Sequence, residues 1–308
     1  MRRRESVVAV DIGGTNIRAA LVSPSGEIQH KVTVRNTFHD GVENMITRLI
    51  SVIDQAMDAA EMSGVTIAGL GVASAGQINN FGKIIGSCIL DSDLIGIDLG
   101  QILRDRYASP VVVDNDGNAG VLGEYLHGAG RGYRSVIGLV IGTGVGGGVI
   151  IDGKLHRGAT GAAFEVGHIS VDFNGPRCQC GNIGCLELYS SGTGIARLGE
   201  EAMGRPITSE ELFELARQGD TTSIGVLTKA GRALGTAIAS LSHLYNPEIV
   251  LLNGGVAEQG DFFLNFVKDG LDVQTMPVYR VPLKLGELGA EANLFGAAEL
   301  IRTYLKTQ

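Results

Sequence analysis

Val7-Val-Ala-Val-Asp-Ile-Gly-Gly-Thr15 is an apolar run that ends on an acid and a glycine turn. A second apolar run over 17–22 and a Ser23-Pro-Ser-Gly26 turn follow it. The order reads as strand, glycine turn, returning strand, turn. It recurs once. Val136 to Ile141 leads into Gly142-Thr-Gly-Val-Gly-Gly-Gly148, then an apolar run over 149–151 and an Asp152-Gly153 turn. Two copies of one hairpin, each opening its own α/β segment, point to a duplicated architecture. Outward from the first copy, a strand is expected over 27–34 and a helix over about 41–62. Buried strands over 66–72 and 111–114 come next, the last feeding a helix from about 118. In the second half the longest helix is expected over about 223–245, with Leu227, Leu234, Ile238, Leu241 and Tyr245 as its apolar stripe. Pro247 ends it, and a buried strand over 248–252 runs into Asn253-Gly-Gly255. No low-complexity linker separates the halves.

A chain of 308 residues can bury a large core and is long enough for two lobes. Its net charge of −8 gives no electrostatic footprint for nucleic acid. The Met1-Arg-Arg-Arg4 start is basic, but the next apolar run is a short strand containing Asp11, which fits neither a signal segment nor a membrane span. No membrane partner is expected, and a cytoplasmic location follows. Glycine is the outlier, with 46 residues, about twice its usual share. The clusters fall at turns between apolar runs, so they read as tight backbone passages and not as linkers.

Gly142-Thr-Gly144-Val-Gly-Gly147 satisfies the dinucleotide pattern literally, and Glu165 lies at about the distance of a ribose-binding acid. Context rejects that reading, because a β run follows where the fingerprint requires a helix. No lysine-hydroxyl pair of a Walker loop follows any glycine run. What remains is a hairpin loop whose N–H groups can converge on an anion, or a tight turn with no ligand. Two related loops, each with a threonine (Thr15 and Thr143), favour polyphosphate held between two lobes. Asp11 at the end of the first strand would suit Mg²⁺ through water.

His168, Cys178-Gln-Cys180 and Cys185 match the Cys₃His ligand set of a tetrahedral structural zinc. A disulfide framework needs an even set and an oxidising compartment, and neither is evident. Free thiols are the remaining alternative. Cys88, far upstream in an apolar stretch, is expected to behave as a small core residue. Glu165 stands three residues before His168 and Glu187 two after Cys185, so a metal that pins the imidazole pins two acids with it. Val113-Asp-Asn-Asp-Gly-Asn118 ends a buried strand. Asp116 or Asn118 could simply cap the following helix. Ligands of open α/β sheets nevertheless sit beyond the carboxyl ends of strands, where a carboxylate can accept a hydroxyl proton.

Together these residues resemble sugar kinases of the ROK family (repressors, open reading frames and kinases), within the actin-like ATPase superfamily. The match covers nearly the whole length. The resemblance implies an α/β fold of two RNase H-like, actin/hexokinase-type lobes with a cleft between them. The small lobe would hold residues 1–118 and 293–308, and the large lobe residues 119–292. Asp11, Gly13, Gly14, Thr15 and Asn16 resemble the first phosphate loop, and Gly142, Thr143 and Gly144 the second. Asn253-Gly-Gly-Val256 is similar to the adenosine-contacting turn, with Gly254 and Gly255 as the implied contacts, and Asn293-Leu-Phe-Gly-Ala-Ala298 to the closing helix. ATP, Mg²⁺ and a structural Zn²⁺ on His168, Cys178, Cys180 and Cys185 are the implied cofactors. Asp116 is implied as the base that takes a proton from a sugar hydroxyl, O6 of a hexose, as it attacks the γ-phosphate. Gly76, Asn115, Asp116, Glu165, His168 and Glu187 would contact the sugar. Closure of one lobe on the other would exclude water.

The Ala162-Ala-Phe-Glu-Val-Gly-His168 segment is similar to that of glucokinases, which makes glucose the expected substrate. N-acetylmannosamine kinases are the alternative, since the Asp114-Asn-Asp-Gly-Asn118 stretch resembles theirs. Ala75-Gly76-Gln77 departs from the proline-containing turn usual in glucokinases of the family. Repressors of the family carry an N-terminal helix-turn-helix, for which the position of Asp11 leaves no room, so a DNA-binding role is not expected. A sugar sensor without catalysis, or an actin-like ATPase lacking both sugar signature and zinc, are the other readings. A homo-oligomer, dimer or tetramer, is implied by the family.

Overall fold

The structure, a computed structural model, describes residues 5–37, 39, 41–87, 90 and 92–308. Cys88, expected in the core, and the basic start at Met1 to Arg4 lie outside the described residues. The chain divides into two compact units. One holds the chain up to Arg131 with Leu155–Ala163 and Ala290–Gln308, the other Gly132–Lys154 with Phe164–Gly289. The boundary expected at 118/119 would fall inside a helix, and that helix stays whole in the first unit.

In the first unit β1 (Ser6–Ile12) and β2 (Asn16–Val22) form the hairpin read from the sequence, in register from Val7 opposite Val22 to Ile12 opposite Ile17. β3 (Ile28–Arg35) extends it. α1 (Val42–Met62) crosses to β4 (Ile67–Ser74), which pairs parallel with β1. A small pair, β5 (Gln77–Ile78) and β6 (Ile84–Gly86), precedes α2 (Leu99–Tyr107). β7 (Val111–Asn115) pairs parallel with β4 and runs directly into α3 (Asp116–His127). The sheet order is β3-β2-β1-β4-β7. Every residue of β1 is buried, as befits a central strand covered on both faces. α1 presents Met45, Leu49, Val52, Ile53, Ala56 and Ala60 to one face at helical spacing. Leu70 and Val72 of β4 join that core, while the alternate residues Gly69 and Gly71 lie against the far face.

The second unit repeats the plan. β8 (Val136–Ile141) and β9 (Val145–Ile151) form a hairpin, with β10 (Lys154–Leu155) at the edge. α4 (Glu187–Ser190), α5 (Gly192–Met203), α6 (Ser209–Arg217) and α7 (Thr221–Tyr245) follow. β11 (Ile249–Asn253) pairs parallel with β8, and after α8 (Asp261–Gln274) β12 (Leu283–Leu285) pairs parallel with β11. The order β10-β9-β8-β11-β12 reproduces the first sheet strand for strand. The expected duplicated, two-lobed α/β architecture is therefore present. α7 is capped by Asp220, whose side chain accepts from the Ser223 N–H, and it ends at Asn246 in the left-handed conformation before Pro247.

One expectation changes. The glycine turn read over 142–148 is confined to residues 142–144, and Gly146, Gly147 and Gly148 lie in β9 opposite Val140, Leu139 and Gly138. Their composition suits a turn, but a Cβ on Gly147 would strike the Gly138 carbonyl and the Phe164 ring. The glycines there permit close packing.

The last helix, α9 (Ala292–Thr307), returns to the first unit and packs with α3 on the Gly69–Gly71 face of its sheet. No helix among the described residues is long and apolar enough to cross a membrane.

Candidate functional site

In the first unit the end of β7 and the start of α3 form one hydrogen-bonded knot. The helix cap is Asn115, not Asp116 or Asn118, because β7 delivers it in extended conformation and its Oδ1 accepts the Asn118 N–H at 3.2 Å. The Asn115 amide then donates to Gly76 O at 2.9 Å and to Asp116 Oδ1 at 3.1 Å. Asp116 Oδ1 also accepts the Gly117 N–H at 2.9 Å. The half-buried carboxylate is thus oriented by two donors on one oxygen. Asp114 beneath it is buried and accepts from the Asn115 N–H, from Asn118 Nδ2 at 2.9 Å and from Arg157 Nε at 2.6 Å. Arg157 comes from the Leu155–Ala163 segment, which Asn80 also anchors through Ala159 O and Thr160 O. This pairing is not legible in the sequence, since 43 residues separate the partners.

The first glycine loop is a tight turn in which the Gly13 N–H donates to Asn16 O at 2.9 Å. Asn36 braces it, donating from its backbone to Thr15 O and from its amide to Gly13 O. Among the described residues the Gly14 and Thr15 N–H groups have no partner, and both residues are exposed. Asp11 is buried at the end of β1. Burial pushes its carboxyl up, opposed by a hydrogen bond from Asn293 Nδ2 at 3.0 Å and by Arg18 at 3.5 Å. Asn293, quoted in the closing-helix motif, thus reaches the first loop's acid.

In the second unit His168, Cys178, Cys180 and Cys185 converge, each offering one ligand atom, all within 4.8 Å of one another. Cys178 Sγ lies 3.8 Å from His168 Nδ1, and Cys180 Sγ lies 3.6 Å from Cys185 Sγ. A tetrahedral zinc with Zn–S near 2.3 Å spaces its ligand atoms by about 3.8 Å, so the donor set and its dimensions fit that ion. Burial pushes the Cys185 thiol well up, and its sulfur neighbours add to this. At Cys180 burial acts in the same sense but is outweighed by the Asn182 N–H and the adjacent thiols, which hold it below its usual value. A metal held here would bind these sulfurs as thiolates, because a coordinated thiol is deprotonated outright. Short turns make the knot: Cys178 N–H donates to Asn182 O, and Gly181 N–H to Cys178 O.

Glu165 enters a single 3₁₀ turn, Val166–His168, and is exposed. Phe164 before it has φ 72°, a conformation that costs a bulky residue about 1–3 kcal/mol. Its ring holds it there, packed on Gly147 and 6.0 Å from the Tyr245 ring. The second glycine loop carries a different brace. Glu187 Oε2 accepts the Val145 N–H at 3.0 Å, Gly192 N–H donates to Gly142 O at 2.8 Å, and Thr193 Oγ1 donates to Thr143 O at 2.7 Å. Beside it, Gly254 has φ 91°, and a Cβ there would lie 2.6 Å from Ile141 O. Only glycine serves there. The Val256 N–H completes the junction on Ile141 O. A pocket of about 190 Å³ opens next to this turn, lined by Leu252, Asn253, Gly254, Ala257, Glu258 and Leu285 among others. The Asn253 amide nitrogen is buried and has no partner among the described residues.

A model of the ROK family matches residues 7–304. The chain belongs to the ROK family. It is 34% identical to a glucokinase of Thermotoga maritima over 96% of this chain and 97% of that one. A xylose repressor of Bacillus spizizenii is 28% identical over 96% of this chain and 76% of the repressor. Among solved structures, a ROK glucokinase from Streptomyces griseus in complex with glucose and AMPPNP superposes with a TM-score of 0.82 and 31% identity, covering 97% of this chain and 99% of that one. In this ROK protein the four metal-ligand candidates read from the sequence converge, and both glycine turns close hairpins as expected. Sequence reasoning missed Arg157 and Thr193. A Ser-Gly-Thr cap at 191–193 was the one legible signal among these, since Ser191 Oγ accepts the Gly194 N–H at the start of α5.

Proposed function

We propose that this protein is an ATP-dependent hexose kinase that phosphorylates glucose at O6, with Asp116 as general base. The observation that carries the reading is the orientation of Asp116 by Asn115 and Gly117 at the mouth of β7. A carboxylate fixed on one oxygen can accept a hydroxyl proton without losing its aim. Phosphoryl transfer asks for positioning and charge neutralisation more than covalent help, and the other assignments supply them. Asn115, Glu165, His168 and Glu187 would hydrogen-bond the ring hydroxyls, with Gly76 beside them. Gly13 to Asn16 and Gly142 to Gly144 would hold the phosphates, and Asp11 would meet Mg²⁺ through water. The 190 Å³ pocket beside Gly254 and Gly255 would take the adenine, with the unpartnered Asn253 amide as its donor. His168, Cys178, Cys180 and Cys185 would hold a structural zinc, which supplies rigidity and no open position for water. With Nδ1 directed at the cluster, the other ring nitrogen of His168 remains for the sugar. The glucokinases among its relatives support glucose as the substrate.

The similarity to xylose repressors supports a second reading, a sugar-binding regulator without turnover. One panel separates the readings: purified protein with ATP and Mg²⁺ is assayed against glucose, mannose, fructose, allose and N-acetylmannosamine. Glucose 6-phosphate formation is expected. Turnover confined to N-acetylmannosamine would replace the substrate, and sugar binding without any turnover would favour the regulator.

A further inference from the structure

Glu187 stands in the segment that carries the last metal-ligand candidate, yet its carboxylate is spent on the second glycine loop. Oε2 accepts the Val145 N–H at 3.0 Å, and a Cβ on Gly144 would lie 2.5 Å from the same oxygen. The following residues continue the weld. Gly192 and Thr193 tie down the carbonyls of Gly142 and Thr143, and Ser191 Oγ donates back to Glu187 O at 2.7 Å. With both carbonyls tied to protein and the Gly142 N–H closed on Gly144 O at 3.0 Å, the loop keeps the Thr143 and Gly144 N–H groups for an anion.

We propose that Glu187 is a positioning residue for the Gly142–Val145 turn as well as a sugar ligand, so that one carboxylate links the sugar hydroxyls to the loop that grips the nucleotide. The inference rests on the kinase reading above. Whatever coupling Glu187 carries between sugar and nucleotide is equal in both directions.

The test measures glucose and AMPPNP affinity separately by calorimetry, together with hydrogen exchange at the Val145 amide. The proteins are the wild type, Glu187→Ala, Glu187→Gln and Thr193→Val. Glu187→Ala is expected to weaken AMPPNP binding about tenfold, the scale of one charged hydrogen bond, and to expose the Val145 amide to exchange. Glu187→Gln keeps an oxygen for Val145, so AMPPNP affinity and protection return to within about twofold of wild type while glucose binding stays weak. Thr193→Val is expected to weaken AMPPNP about threefold and to leave glucose affinity unchanged. Loss of glucose binding in Glu187→Ala with AMPPNP affinity and Val145 protection intact would overturn the proposal. If Glu187→Ala does not fold, undiminished AMPPNP binding in Thr193→Val overturns it instead. A wild type that binds neither probe sinks the kinase reading, while exchange at Val145 still reports whether Glu187 holds the turn.

Discussion

Asp116 sits at the first position of α3, where its Oδ1 accepts from Asn115 and from the Gly117 N–H, contacts that an amide oxygen in its place can keep. Asp116→Asn is therefore expected to bind glucose with nearly wild-type affinity and to lose about 10²- to 10⁴-fold in kcat, the usual worth of a general base. Steady-state kinetics beside a calorimetric Kd checks this, and near-normal kcat would remove Asp116 from the role. At this scale the sequence makes residue types legible and partners much less so. The polar cluster at 113–118 was visible, but which member caps the helix depended on where β7 ends. Asp114 was quoted without a role because its main partner, Arg157, lies 43 residues away.

Between elements, α3 and α9 approach so closely that a Cβ on Gly296 would run into the Ala119 carbonyl, and one on Gly123 into the Ala292 carbonyl. Gly296→Ala is expected to cost about 1–3 kcal/mol or more, because neither helix backbone can give way. A fall in the thermal midpoint measures it, and an unchanged midpoint would contradict the contact. The same interface carries an acid switch. Burial alone would raise the Glu299 carboxyl, but His127 at 3.2 Å and Arg302 at 2.6 Å hold it down at about 2. A depressed carboxyl stabilises the fold above its ordinary value of 4.5, and that contribution is lost as pH falls from there towards 2. Discounted for solvent screening of the pair, it is on the order of 1–2 kcal/mol. Glu299→Gln should flatten the pH dependence of the midpoint across that window. A profile as steep as wild type would show that other carboxylates carry the acid sensitivity.

At the scale of the molecule, each unit has its own hydrophobic core, one built around β1, β4 and α1, the other around β8, β11 and α7. The chain passes between units four times, and each passage has a left-handed residue nearby: Gly132, Gly153, Phe164 and Gly289. Separate cores predict that metal loss acts on one unit first. Elemental analysis is expected to find one zinc per chain. Cys180→Ser, or chelator added to wild type, should lower the unfolding midpoint of the second unit while leaving amide protection in β1 and β4 intact. Equal stability with and without chelator would refute a structural zinc.

Local chemistry let the sequence determine the hairpin repeat, the long helices and the four converging ligand candidates. Alternation, helical spacing and ligand spacing are all written within a few dozen residues. Tertiary structure alone decided which glycines turn and which merely permit contact, as at Gly147, and it alone set Arg157 on Asp114, Asn293 on Asp11 and Glu187 on Val145. Those choices depend on backbone groups brought together across long chain separations, where side-chain type constrains a partner's chemistry but not its address.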